Sequence, residues 1–194
     1  MNKILIIFFL QNIILGQFDN ITNGFGLDIG SNGSGLFFTR NYMHNSNKYS
    51  LNGEIRLYDI KGGEETIVYD IYSGRYQTVG GKSLFMTPIL LGVNYFPFAN
   101  KIANNFAPFL TLKSGANMIL DGKEVGSFSD RWSSPDVQFS YSGFIGAGID
   151  FKWANQTSVI LNIGAEILPL RQEADGENNY SGFLIHISFN RLKK

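Results

Sequence analysis

The chain contains no cysteine, so disulfides and thiolate metal sites are excluded, and a lipid anchor carried on a cysteine is not expected. Proline is scarce, with 5 in 194 residues. Charged residues make up 16% of the chain, against a usual value of about 25%. The charges cancel, with 16 basic and 16 acidic side chains. Nucleic-acid binding usually rests on a clustered basic surface. The pair Lys193–Lys194 is too short to supply one, so no nucleic-acid partner is expected. After the first residues no apolar run is long enough for a helix to cross the roughly 30 Å of a bilayer core. The remaining chain is either soluble or enters a membrane as strands.

Glycine and aromatics are abundant: 22 Gly, 17 Phe and 9 Tyr. Low charge with many rings and many glycines describes a β-rich chain with tight turns. The start, MNKILIIFFLQNIILGQ, has a lysine at position 3, an apolar run from Ile4 to Leu15, and the small residue Gly16. That order matches a secretory signal peptide. Residues 1–16 are therefore expected to be an export leader, and residues 17–194 the mature domain.

Beyond the leader the hydrophobic period is two. From Val137 to Trp153 the odd positions are mostly apolar, while the even positions are mostly polar or small. Such alternation indicates strands with two different environments. Eight strands are predicted, at 22–31, 34–42, 48–60, 83–97, 105–120, 137–153, 156–169 and 179–191. No helical pattern intervenes, so an antiparallel sheet built from hairpins follows. The connections alternate in length. His44–Asn47, Phe98–Asn104 and Ala154–Asn155 are short; Lys61–Lys82, Asp121–Asp136 and Leu170–Asn178 are longer; Asn32–Gly33 is a tight exception. One rim of short turns and one of long polar loops is the asymmetry of a transmembrane barrel. The predicted fold is all-β: a closed antiparallel up-and-down transmembrane β-barrel of about eight strands.

Period two does not say which face points outward. The minority face is rich in Gly, Ser and Asn and carries few charges, of both signs, which suits the filled interior of a narrow barrel better than a water-facing exterior. It predicts an inward polar network of Asp28, Glu54, Arg56, Lys113, Asn117, Asp150, Lys152, Asn162, Glu166 and His186. Buried charges must be paired, and both signs are available. Aromatics gather near the short-turn ends. Tyr42, Tyr95, Phe98, Phe151, Trp153 and Phe189, with Phe96 and Phe106, are expected to form an interfacial girdle. Several alternating runs are long enough to cross as tilted strands. These observations turn the apolar face outward.

The segments PILLGVNYFPF (88–98), FAPFLTLKSGAN (106–117), FIGAGIDF (144–151) and GFLIHISF (182–189) resemble the Gly- and aromatic-rich strands of the small bacterial outer-membrane β-barrel family, of the OmpA membrane-domain and OmpX type. The resemblance is architectural and covers residues 18–194. It departs at the end, where Phe189 is followed by Asn-Arg-Leu-Lys-Lys rather than closing the chain. It implies residence in the outer membrane of a Gram-negative cell. The partners it implies are outer-membrane lipid, lipopolysaccharide and the barrel assembly machinery.

No catalytic, cofactor or metal site is predicted. His44 falls in a turn and is expected to be solvated. His186 and Ser188 share the inward face, but a deacylase using such a pair works at the lipid-facing surface, and Phe189 stands where that family has Asn. The acidic loop Glu173–Asp175–Glu177 and the pair Glu64–Glu65 lack calcium-loop spacing. Gly24-x-Gly26 and Gly146-x-Gly148 precede no helix, so they are strand glycines rather than phosphate loops. Loop aromatics Tyr69, Tyr72, Tyr76, Phe128 and Trp132 can either contact a ligand or stack on the rim. Three functional readings follow. The first is a structural, adhesive or interaction protein acting through its loops, with a lumen plugged by polar side chains. The second is a narrow pore for small solutes. The third is a soluble, lipocalin-like lipid-binding barrel.

Overall fold

The computed structural model describes residues 18–60, 66–72, 74–79, 84–102, 105–123, 129, 132–153 and 156–193. The expected leader, the pair Glu64–Glu65 and Phe128 lie outside them.

Among the described residues twelve strands run in chain order: β1 (Phe18–Gly30), β2 (Gly33–His44), β3 (Tyr49–Ile60), β4 (Thr66–Asp70), β5 (Arg75–Val79), β6 (Leu84–Tyr95), β7 (Phe106–Asp121), β8 (Asp136–Trp153), β9 (Thr157–Ile167), β10 (Pro169–Ala174), β11 (Glu177–Asn179) and β12 (Gly182–Leu192). Eight of them close a barrel in the order β1-β12-β9-β8-β7-β6-β3-β2, every neighbour antiparallel. The eight predicted strands correspond to these eight. The first and last strands pair with each other, Phe25 opposite Phe189, so the cylinder has no free edge.

The other four strands form two small hairpins inside connections expected to be plain loops. β4 pairs with β5 in the connection after β3, and β10 with β11 in the connection after β9. The second hairpin turns on Asp175 and Gly176, both at positive φ (53° and 78°). Asp-Gly is the pair that tolerates that conformation in a two-residue hairpin.

The faces separate along each strand. Along β3, Leu51, Ile55 and Leu57 are exposed, while Ser50, Asn52, Glu54, Arg56, Tyr58 and Ile60 are buried. Along β8, Val137, Phe139, Tyr141, Ile145 and Phe151 face out and Ser142, Phe144 and Asp150 face in. The exposed apolar side chains continue around the barrel through Leu27, Leu36, Leu91, Leu112, Ile163 and Phe183. A contiguous apolar belt of this extent is foreign to a soluble monomer and natural to a lipid-facing wall.

Candidate functional site

The inward side chains fall into three layers. Along β3, from the short-turn end to the loop end, the inward side chains are Ser50, Asn52, Glu54, Arg56, Tyr58 and Ile60. They pass from amide and hydroxyl, to ion pair, to apolar.

The middle layer is ionic. Arg56 Nε donates to Glu54 Oε1 at 2.5 Å, and its Nη1 donates to Glu166 Oε1 at 2.6 Å. The same guanidinium lies 3.5 Å from Asp28 Oδ2. Lys113 Nζ donates to Glu54 Oε2 at 2.6 Å. His186 places Nδ1 2.7 Å from Asp28 Oδ1 and Nε2 3.5 Å from Glu54 Oε2. Its ring stacks on Phe37 with centroids 3.7 Å apart. Phe144 supports both cations, with Arg56 and Lys113 each within 6 Å of its ring centroid. Three carboxylates thus face Arg56, Lys113 and His186. Charges this deep are tolerable because each is paired and hydrogen-bonded.

The loop-end layer is apolar. Tyr58, Ile60, Leu84, Met86, Ile119, Leu168, Ala174, Tyr180 and Leu184 pack into one buried cluster with Phe144. The β10–β11 hairpin contributes to it directly. β10 ends at Ala174, whose carbonyl accepts from Tyr180 Oη at 2.8 Å. Burial pushes the Tyr180 phenol up from its ordinary value, and nearby Asp175, Glu177 and Asp121 add to the shift, so it remains a donor. An apolar cap was not expected in a lumen read as polar throughout. Its inward members Tyr58 and Phe144 stand among glycines and polar residues in their strands.

The short-turn layer is an open vestibule of about 490 Å³, walled by Asn20, Thr22, Asn41, Asn94, Asp150 and Asn190 among others. Asn52 Nδ2 donates to Asn94 Oδ1 at 3.0 Å, and Asn94 Nδ2 donates to Ser50 Oγ at 3.1 Å.

The ten residues predicted to form one polar network are therefore divided. Asp28, Glu54, Arg56, Lys113, Glu166 and His186 come together in the ionic layer. Asn117 is buried in the apolar layer with Nδ2 3.5 Å from Met86 Sδ. Asn162 is buried beside the ionic layer, on the same small cleft as Glu54, Lys113 and His186. Asp150 belongs to the vestibule. Lys152 is exposed at the vestibule mouth, because the last inward positions of β8 run out past the end of the cylinder.

Of the expected girdle, Tyr95 stacks on Tyr49 at 5.2 Å and Phe151 meets Phe106 edge-on at 5.6 Å. Phe98, Trp153 and Phe189 are exposed, and Tyr42 is half-buried beneath the Arg40 guanidinium. Phe96 is a correction: it turns inward and packs on Phe109 at 5.4 Å, because the strand's alternation carries it to the lumen face. His44 is also less solvated than expected. It is half-buried, 2.9 Å from Ser46 Oγ and edge-on to Phe18.

His186 and Ser188 do share the inward face, yet they form no relay. His186 is taken up by Asp28 and Glu54, and Ser188 Oγ accepts from Asn190 Nδ2 at 2.9 Å. Among the described residues no group of three His, Cys, Asp or Glu is placed to hold a metal. Among the loop aromatics, Trp132 packs on Phe85 at 5.1 Å, on the rim. Tyr69, Tyr72 and Tyr76 stand exposed on and beside the β4–β5 hairpin.

A closed eight-strand antiparallel cylinder with an apolar exterior is the fold of the small outer-membrane β-barrels. No family model matches the chain, and no curated protein does. Solved structures do. The chain is similar to Neisserial surface protein A at 9% identity and TM-score 0.56, covering 89% of this chain and 94% of that one. It is similar to the N-terminal β-barrel domain of Pseudomonas aeruginosa OprF at 12% identity and TM-score 0.50, covering 89% and 98%. At such identities the likeness is one of fold.

Proposed function

We propose that this chain is an exported outer-membrane barrel with no catalytic step of its own. Its role is structural or is carried by its loop-side surface, and its lumen does not conduct. The observation that carries the reading is the stacking of a paired ionic layer beneath an apolar cap. Arg56 and Tyr58, successive inward residues of β3, are both fully buried. Eight strands leave an interior that side chains fill, so the vestibule ends blindly at the ionic layer. Residues 1–16 serve as the leader that directs export. Outer-membrane lipid surrounds the belt, and the assembly machinery inserts the barrel. Lipopolysaccharide is the lipid that its loop side meets.

Among the described residues, the β4–β5 hairpin offers an apolar loop-side surface for contact. Ile67, Tyr69, Ile71, Tyr72 and Tyr76 are exposed on and around it, and Tyr72 is fully so.

Planar-bilayer recording tests the closed lumen. The purified barrel is expected to insert without steady current, and a stable ohmic current would favour the pore reading instead. Recovery of the folded protein in detergent-free supernatant would favour the soluble one.

A further inference from the structure

The neutral total charge hides a local arrangement that register alone creates. On the outward face, Arg191 of β12 lies opposite Asn23 of β1, and Asn23 lies opposite Arg40 of β2. Neighbouring strands are about 4.8 Å apart. Two guanidinium side chains therefore flank one amide across roughly 10 Å of wall. The row directly toward the bilayer is aromatic: Phe189, Phe25 and Phe38, themselves paired across the same three strands. Phe25 and Phe38 meet edge-on at 5.9 Å. On the rim side lie Tyr42 and Lys193. Beyond Arg40 the next position is Gly53, where even an added Cβ would meet only Leu91 Cδ2 at 3.6 Å. The wall beside the row is thus recessed.

Two polar atoms of this row have no protein partner. Asn23 Oδ1 and Arg40 Nε are both shielded from solvent and unbonded. Among the described side chains, no carboxylate faces outward on β12, β1 or β2. A lipid-facing arginine is costly at the bilayer midplane and costs little at the interface. The row therefore marks the headgroup level, with the rings below the headgroups and the acyl chains against them.

We propose that Arg191, Asn23 and Arg40 form a headgroup site for a net-anionic glycerophospholipid in the leaflet on the short-turn side. The two guanidinium groups take the phosphodiester. A phosphatidylglycerol-type lipid carries the net negative charge that the two guanidinium groups match. The Phe189–Phe25–Phe38 shelf receives the upper acyl chains. The inference rests on the membrane-spanning reading, and its test separates the two.

The test uses the full folded barrel in vesicles of phosphatidylcholine, with and without phosphatidylglycerol. The readout is the temperature at which the compact gel band converts to the unfolded one. A ligand that binds only the folded form raises that midpoint. Phosphatidylglycerol is expected to raise it by several degrees. The variant Arg40→Gln/Arg191→Gln should lose that gain while keeping its midpoint in phosphatidylcholine. Lys48→Gln/Lys101→Gln, on the turns, should keep the gain. An equal gain in all three proteins, or a loss in the lysine variant as well, overturns the site in favour of general charge attraction. If the glutamine variant does not insert, Arg40→Lys/Arg191→Lys replaces it. That variant should keep only part of the gain, because an ammonium cannot grip a phosphate bidentately; retention of all of it overturns the site. A wild-type chain that gives no compact band in either vesicle sinks the membrane reading, and the site with it.

Discussion

Arg56 and Glu166 are hydrogen-bonded at 2.6 Å across the full width of the barrel. They stand on β3 and β9, strands four places apart in either direction around the cylinder. The same arginine is held by Glu54 on its own strand. One guanidinium therefore braces opposite walls, and three carboxylates depend on it.

Replacing Arg56 by Met is expected to cost about 3–5 kcal/mol, the usual cost of leaving a buried charge without its partner. Urea unfolding in detergent micelles, followed by loss of the compact band, measures it. Replacing Glu166 by Leu in the same protein should return part of the loss, since one stranded carboxylate disappears. A single-variant loss within about 0.5 kcal/mol, the range of an inert surface change, would mean that the ionic layer does not brace the wall.

Gly115 and Gly53 should respond differently to alanine. A Cβ at Gly115 would lie 1.9 Å from the Ile89 carbonyl oxygen and 3.0 Å from Leu90 Cα, both backbone. The strands must move apart to admit it, at about 1–3 kcal/mol. Gly53→Ala meets almost nothing and should stay within about 0.5 kcal/mol of wild type. Equal effects in the same unfolding assay would refute the close approach of β6 and β7.

The apolar cap makes Tyr180 a stability residue. Tyr180→Phe removes one buried hydrogen bond and should cost about 1 kcal/mol. Tyr180→Ala also opens a cavity and should cost about 3–5 kcal/mol. If the two variants unfold at the same denaturant concentration, the cap does not pack as described.

The β4–β5 hairpin pairs with itself outside the closed barrel sheet. Deleting residues 66–79 is expected to leave the melting midpoint of the barrel unchanged. A clear drop would show that the hairpin supports the wall.

Much of the fold is legible in the alternation of single strands, because a barrel wall presents two solvents to one chain. The gradient along Ser50, Asn52, Glu54, Arg56, Tyr58 and Ile60 could even have disclosed the layers of the lumen. Two things were beyond reach. The alternation turns Leu84 and Leu184 inward, but nothing in it says that they gather with Leu168 in one apolar cluster. The pairs Arg56–Glu166 and Lys113–Glu54 join residues 110 and 59 positions apart. Sequence periodicity places each on the inner face without saying which partner it meets. The row Arg191–Asn23–Arg40 was hidden for the same reason, since it joins the two ends of the chain. The inserted hairpins were missed because their short strands lie in segments that read as polar loop.

The orientation of the wall is the claim on which everything else depends, and the absence of cysteine makes it easy to probe. Single cysteines at Ile145, Ile163 and Leu91 on the outer face, and at Ser142 and Asn190 on the inner one, each carry one spin label in the reconstituted barrel. The outer labels should collide with oxygen dissolved in lipid and be shielded from a water-soluble nickel chelate. The inner labels should show no such lipid contact. Outer labels that relax as readily with the aqueous nickel complex would contradict that orientation.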